Sequence, residues 1–191
     1  VLVKPDGVQR SLIGEVIRRY EKCGLKLIAL KMLIPSKKKA LDHYSIDPDW
    51  ALKAGTKTFE SYRAKGLPLP GDDPVSFAEG IRRQLVLFLT SGPVVAMIWQ
   101  GMSAVGVVRK ITGGTEPLSS APGTIRGDYT IDSYTSSNED SRAIRNIIHS
   151  SSSVEEAEKE IPIWFGKSEI LAYRLVTEEI LYDVNLDGIL E

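Results

Sequence analysis

Apolar residues recur with two different periods along this chain, and each period predicts a different element. After Ser11, Gly101 and Ser153 they recur every three or four positions, as they do on one face of a helix. The runs at 1–3 and 94–99 are apolar throughout, which is typical of buried strands. The pattern therefore predicts strands and helices that alternate along most of the chain.

Caps and turn residues define these elements more closely. Residues 5–7 read Pro-Asp-Gly and predict a turn, and residues 25–34 predict a strand that is covered on both faces. Ser36 is the expected N-cap of a short helix, and Ser153 has capping-box spacing to the glutamate three residues later. We expect a last amphipathic element over residues 170–181.

Three segments break the pattern. Residues 45–75 and 132–142 are polar and rich in turn residues, so we interpret both as insertions. Trp50 and Phe59 indicate that the first insertion packs against the rest of the protein. The loop predicted over residues 113–128 is long for a compact domain, and such loops often serve function.

Composition restricts the class of protein. The 191 residues are 42% hydrophobic, enough for one domain with a sizeable core. Lys and Arg number 24 against 25 Asp and Glu, which argues against a general nucleic-acid or membrane-surface footprint. Cys23 is the only cysteine, which suits a reducing cytoplasm, and polar residues interrupt the apolar segment 85–99. We expect a soluble cytoplasmic protein.

His149 is the residue with the clearest chemical potential, since imidazole can accept a transferable group near neutral pH. The alternative is a structural or surface histidine at the end of a strand. The common glycine-rich nucleotide loops and protein-kinase motifs are absent from the sequence. Residues 183–188 match the first half of a calcium loop but lack its final glutamate, so we expect a polar turn there.

Several segments, in order and in number, resemble the nucleoside diphosphate kinase family. They are VKPDGVQR at 3–10, HY at 43–44, SGPVVAM at 91–97, PGTIRGD at 122–128, NIIH at 146–149 and SVEEAEKEI at 153–161. The resemblance extends to about Tyr173, apart from the two insertions. It implies a family domain over residues 1–173 and a C-terminal extension over 174–191.

The resemblance implies a ferredoxin-like α+β fold, an antiparallel sheet with helices packed on one face. It also implies ping-pong transfer of a γ-phosphoryl group between nucleoside tri- and diphosphates, with His149 as the phosphorylated intermediate. Glu160 would orient the imidazole, and Ser151 matches the family serine. The residues expected to hold the nucleotide or the reacting phosphate are Lys4, Tyr44, Leu85, Arg109, Thr115, Arg126 and Asn146.

The nucleotide phosphates would carry Mg²⁺, with no dedicated protein site for the metal. The family forms hexamers or tetramers, so the resemblance also implies a homo-oligomer. Where the family usually has His-Gly-Ser-Asp-Ser, this chain has serine at each of positions 150–153. We therefore expect lowered or retuned activity, and the alternative is a nucleotide-binding or assembly module that has lost turnover.

Overall fold

The structure is a computed structural model and describes residues 1–45, 49–64, 66 and 68–182. Four strands form one antiparallel sheet in the order β2-β3-β1-β4. The strands are β1 (Leu2–Val3), β2 (Lys26–Leu33), β3 (Val94–Gln100) and β4 (Ile148–His149). The short β1 lies in the interior of the sheet, between β3 and β4, so that it brings the start of the chain next to His149.

Helices occupy most of the remaining described chain. They are α1 (Pro5–Gln9), α2 (Ile13–Glu21), α3 (Lys37–Tyr44), α4 (Trp50–Ala64), α5 (Pro74–Leu89), α6 (Ala104–Thr112), α7 (Ile125–Tyr129), α8 (Tyr134–Glu139), α9 (Val154–Trp164), a 3₁₀ turn (Lys167–Glu169) and α10 (Thr177–Tyr182). No helix in this described part of the chain is long and apolar enough to cross a membrane.

The predicted ferredoxin-like α+β fold with an antiparallel sheet is confirmed. One core cluster joins α3, α5 and α9 to one face of the sheet, with Leu89 and Ala96 fully buried. A second cluster covers the other face with α2, α6 and α7, with Val16 and Ile125 fully buried. Helices therefore cover both faces of the sheet, because β1 and β3 are apolar on both sides.

Two predictions about the first third of the chain are wrong. Residues 5–7 begin helix α1 rather than a turn, since proline is well suited to the first position of a helix. Strand β2 is not covered on both faces, because Leu30, Met32 and Ile34 are 47%, 56% and 70% exposed. These three alternate positions form an apolar row on the edge strand.

Both segments that we interpreted as insertions contain helices that their polar composition did not indicate. The first supplies α4, which is anchored by Phe59 at 5.9 Å from the ring centroid of Phe77 on α5, as its aromatic residues predicted. The second supplies α8, capped by Ser133. Arg142 donates to both carboxylate oxygens of Asp132, at 2.6 and 2.9 Å, and so ties the ends of the second insertion together.

The C-terminal part is helical over a shorter stretch than the amphipathic pattern at 170–181 suggested, since α10 begins only at Thr177. Glu178 pairs with Lys26 at 2.6 Å, and the Leu181 side chain lies against Gly24. This segment therefore packs against the start of β2. The half calcium loop at 183–188 lies outside the described residues.

Candidate active site

His149 stands at the end of β4, directly opposite Leu2 in β1. Its Nε2 lies 2.7 Å from Oε1 of Glu160, and the other carboxylate oxygen accepts a 2.5 Å hydrogen bond from the Ser151 hydroxyl. A carboxylate only accepts, so this contact places the ring proton on Nε2 and leaves Nδ1 with its lone pair. The three residues predicted around the reaction centre therefore lie together.

Glu160 reaches the histidine from the second turn of α9, where it is 5% exposed. The Ser153 side chain caps the start of this helix by accepting from the Glu156 backbone N–H, as its spacing predicted. The Glu156 carboxylate in turn accepts from the Ser152 backbone N–H. The serine run therefore links His149 to the helix that carries its carboxylate partner.

His43, which the sequence analysis did not place in the site, packs edge-to-face on His149 with ring centroids 4.5 Å apart. It accepts from Trp164 Nε1 at 3.4 Å, and burial lowers its pKa to about 3. His43 is therefore a neutral side chain in the wall behind the nucleophile. The resemblance included His43 in the HY segment, but only the structure shows that its ring contacts His149.

Burial also lowers the pKa of His149 well below its ordinary value, and the positive charge of Lys4 acts in the same direction. The side chain remains 21% exposed, so the ring is accessible at one edge. A neutral imidazole is the form that attacks phosphorus, because protonation would occupy the Nδ1 lone pair. The surroundings therefore keep His149 in its nucleophilic state at neutral pH.

Lys4 and Asn146 form a buried pair beside the histidine. The ammonium group donates to Asn146 Oδ1 at 2.8 Å, and the Asn146 amide donates to the Thr115 carbonyl oxygen at 2.7 Å. Burial, followed by the charge of Arg126, lowers the pKa of Lys4 to about 7. The chain thus holds a lysine that changes charge near neutral pH next to the candidate nucleophile.

Arg126 is 8% exposed and is bound mainly by the backbone. Its guanidinium donates to the carbonyl oxygens of Gly113, Gly114, Asn146 and Ile148 at 2.5–3.3 Å. Four of its five N–H groups are used in this way, so one remains for another acceptor. Burial lowers the pKa of Arg126 to about 10, which still leaves it charged at neutral pH.

The other predicted ligands differ in how far they are exposed to solvent. Arg109, near the end of α6, and Thr115 are both exposed, and the charge of Arg109 contributes to the lowered pKa of Arg126. The Tyr44 hydroxyl is buried without a hydrogen-bond partner among the described residues. Leu85 is half-buried on α5.

The backbone before His149 is strained. Ile147 has φ +69°, a left-handed conformation that is unusual for a β-branched residue, and its side chain is fully buried. Its N–H donates to the Asp6 carboxylate at 2.9 Å, and its carbonyl accepts from the Lys4 N–H at 2.7 Å. Asp6, which the sequence analysis also missed, therefore fixes the backbone turn that leads into His149.

One group of side chains within the described ranges has the spacing of a metal site. The ligand atoms of His43, His149 and Glu160 all lie within 4.8 Å of one another. Mg²⁺ prefers oxygen ligands in an octahedral arrangement, so two imidazoles and one carboxylate do not fit it. This group is therefore not a magnesium site.

Comparisons with known proteins show which family this chain belongs to. The family model described as nucleoside diphosphate kinase matches residues 1–60 and 80–170. The nucleoside diphosphate kinase of Pyrobaculum aerophilum is 44% identical over 90% of this chain and 96% of its own length.

Solved structures give the same result. An NDP kinase from Pyrobaculum aerophilum superimposes with a TM-score of 0.84 and 43% identity, covering 90% of this chain and 96% of that one. A nucleoside-diphosphate kinase from Borrelia burgdorferi, described as a transition-state mimic with bound vanadate and ADP, gives a TM-score of 0.79 and 37% identity over 94% and 92% of the two chains. The chain therefore belongs to the nucleoside diphosphate kinase family of phosphotransferases.

Proposed function

We propose that this protein transfers the γ-phosphoryl group of a nucleoside triphosphate to a nucleoside diphosphate through a phosphohistidine at His149 Nδ1. The observation that carries the proposal is the 2.7 Å contact between His149 Nε2 and Glu160, which leaves Nδ1 as the free nucleophilic nitrogen. Within the described chain, the other histidine, His43, is buried and accepts a hydrogen bond from Trp164. Only His149 combines an accessible nitrogen with an orienting carboxylate.

In the first half-reaction, the Nδ1 lone pair forms a bond to the γ-phosphorus while the bond from phosphorus to the bridging oxygen breaks. The nucleoside diphosphate leaves with the electron pair of that bond, and the imidazole acquires positive charge. Glu160 accepts a hydrogen bond from the Nε2–H group, and its negative charge stabilises the imidazolium. The second half-reaction is the reverse process with another diphosphate.

Charge on the transferred group must be balanced by donors that are already in place. Lys4, Arg109 and the remaining N–H of Arg126 would provide this positive charge, and Thr115 and Asn146 would provide polar groups. We assign these residues to the phosphates and the ribose, and Tyr44 supplies a further hydroxyl donor. Mg²⁺ would enter bound to the phosphates of the nucleotide.

A phosphate-labelling experiment tests this proposal, and because the chain has two histidines, a variant at each one provides the control. Incubation with γ-labelled ATP should give an acid-labile, base-stable phosphoprotein, which should discharge on addition of a second nucleoside diphosphate. The His149→Ala variant should not label, whereas His43→Asn should still do so. Absence of label from the wild-type protein, or its persistence in His149→Ala, would refute the proposal. A wild type that labels but does not discharge would support the alternative of a module without turnover.

The edge of the sheet supports a homo-oligomer. Leu30, Met32 and Ile34 on and after β2 form an exposed apolar row, and unpaired edge strands readily associate with another copy. Met32→Glu should lower the mass measured by light scattering, while Leu87→Glu, at a residue 67% exposed on α5, should not. A hexamer or tetramer remains our expectation for the wild type. An unchanged mass for Met32→Glu would exclude this edge as the interface.

A further inference from the structure

Two imidazole nitrogens face the same carboxylate oxygen of Glu160. His149 Nε2 lies 2.7 Å from Oε1, and His43 Nδ1 lies 3.6 Å from it. The potential ligand atoms of the three residues all lie within 4.8 Å of one another. Phosphotransfer uses the pair of His149 and Glu160 and assigns no chemical step to His43. The three residues together therefore offer a chemistry that the reaction does not use.

Two imidazoles and one carboxylate are a ligand set that suits Zn²⁺, with a water molecule in the fourth position. Zinc–ligand distances of about 2.0–2.2 Å place the ligand atoms of a tetrahedral site about 3.3 Å apart. The 2.7 Å contact must open by about 0.6 Å, and the largest separation, at most 4.8 Å, must close by up to about 1.5 Å. Small rotations of the side chains are enough for both shifts.

The surroundings of Glu160 and His43 also suit a bound metal. The second oxygen of Glu160 accepts a 2.5 Å hydrogen bond from the Ser151 hydroxyl, and such outer hydrogen bonds commonly hold a metal-binding carboxylate in place. Trp164 Nε1 donates to His43 Nδ1 at 3.4 Å, which is long for a hydrogen bond, so a metal would displace only a weak contact. Since the His149 side chain is 21% exposed and His43 only 1%, the ion would enter past His149.

The charges around the site set how tightly an ion would bind. Glu160 supplies one negative charge, whereas the positive charges of Lys4 and Arg126 act on His149 from nearby. They oppose a second cation, because like charges repel strongly in a partly buried site. We therefore expect micromolar rather than nanomolar affinity.

A metal ion at this position would change the tautomer of His149. The ion takes the Nε2 lone pair, and the proton that Nε2 carried moves to Nδ1, so that the imidazole stays neutral and Glu160 remains a carboxylate. Nδ1 then carries a proton and has no lone pair with which to attack phosphorus. Bound zinc would thus inactivate the nucleophile without contacting the nucleotide.

We infer that His43, His149 and Glu160 form a zinc site whose occupation reversibly blocks phosphorylation of His149. Binding of the ion is independent of the reaction, whereas the block rests on the proposed function. His43 is the ligand that separates the two, because its replacement leaves the pair of His149 and Glu160 intact.

The first test measures binding of Co²⁺ alone to metal-free protein, with no nucleotide present. Four-coordinate Co²⁺ absorbs visible light much more strongly than the hydrated ion, and Zn²⁺ should displace it and abolish the signal. His43→Asn should bind Zn²⁺ at least about 100-fold more weakly, since it loses one of three ligands. Cys23→Ser removes an exposed thiol, and Asp42→Asn removes an exposed carboxylate that pairs with Lys38. Both controls should bind as wild type.

The second test repeats the labelling with γ-labelled ATP and excess Mg²⁺. Zn²⁺ at about ten times its Kd should lower phosphorylation of wild type about tenfold, and a zinc-selective chelator should restore it. His43→Asn should label equally with and without zinc, and its labelling with chelator present shows that the variant is folded. Zinc captured by ATP would instead inhibit both proteins alike.

The outcomes separate the two proposals. Equal inhibition of wild type and His43→Asn, zinc binding without inhibition, or a Co²⁺ signal that persists in His43→Asn or is lost in Cys23→Ser would overturn the inference. A wild type that fails to label even with chelator and Mg²⁺ would overturn the proposed function, while the Co²⁺ measurement would still decide whether the metal site exists.

Discussion

The lowered pKa of Lys4 predicts that nucleotide binding weakens sharply above neutral pH. With a pKa of about 7, Lys4 is charged in about a quarter of molecules at pH 7.5 and in about 3% at pH 8.5. Bound phosphates would favour the charged form and return the pKa towards its ordinary 10.5. Binding must then include uptake of a proton, and this becomes less favourable as the pH rises above the pKa of the free protein.

The size of the effect follows from these two pKa values. If Lys4 is fully charged in the complex, affinity for ADP should fall about eightfold between pH 7.5 and 8.5, or about 1.2 kcal/mol. At pH 8, about 0.9 proton should be taken up per nucleotide bound. His149 stays neutral over this range because its pKa is lowered, and terminal phosphates have lost their protons by then.

Isothermal titration in buffers of different ionisation enthalpy measures both quantities. Lys4→Met should bind ADP more weakly and lose the pH dependence, while Lys38→Met on the exposed face of α3 should behave as wild type. A constant affinity from pH 7.5 to 8.5 in wild type would refute the reasoning. So would the same slope in Lys4→Met, since another group would then take up the proton.

Four further substitutions test the described contacts. Glu160→Gln should slow phosphorylation of the histidine about 10–100-fold with little change in nucleotide affinity, as followed by stopped-flow fluorescence, because the neutral amide cannot balance imidazolium charge. Ser151→Ala should lower the same rate about fivefold, corresponding to one lost hydrogen bond of about 1 kcal/mol; an unchanged rate would show that Glu160 is held without it. Arg126→Lys should lower the free energy of unfolding in urea by about 3 kcal/mol or more, since buried carbonyls lose their donors. Gly55→Ala should lower the melting temperature and detach α4 from α5, because a Cβ there would lie 2.0 Å from the Pro74 carbonyl oxygen; a melting temperature equal to wild type would mean that this contact is not close.

Local signals predicted the parts of the fold that depend on local interactions. Ser36 and Ser153 cap their helices as their spacing indicated, because an N-cap needs only a side-chain oxygen three residues before a free backbone N–H. The strand at 94–99 is also present, since a buried central strand is apolar on both faces. Sequence resemblance then identified His149 and Glu160, which the structure places 2.7 Å apart.

The helices α4 and α8 could not be predicted from local signals in the same way. Both α4 and α8 lie in polar segments, and their stability depends on contacts across the chain, such as Asn138 with Tyr62. Gly55 is unfavourable within a helix by local propensity, yet here it permits the close approach of α4 to Pro74. Tertiary packing therefore outweighs composition in these segments.

The sequence also does not show how His149 is held. The strained φ of Ile147 depends on Asp6, 141 residues away, and on the hydrogen bond from the Lys4 backbone. Gly7 leaves room for this turn, since a Cβ there would lie 2.9 Å from the Ile147 side chain. Strain of this kind requires support from several directions, so only the folded chain reveals it.

The salt bridge between Asp132 and Arg142 has a consequence for how this protein can be redesigned. Because Asp132 binds both Arg142 and the Arg145 backbone N–H, the segment between them leaves and re-enters the domain at almost one point. A loop with adjoining ends can be exchanged for another of different length at a small difference in closure entropy. The segment 133–141 can therefore be shortened or exchanged for a loop of different length without altering the framework that holds His149.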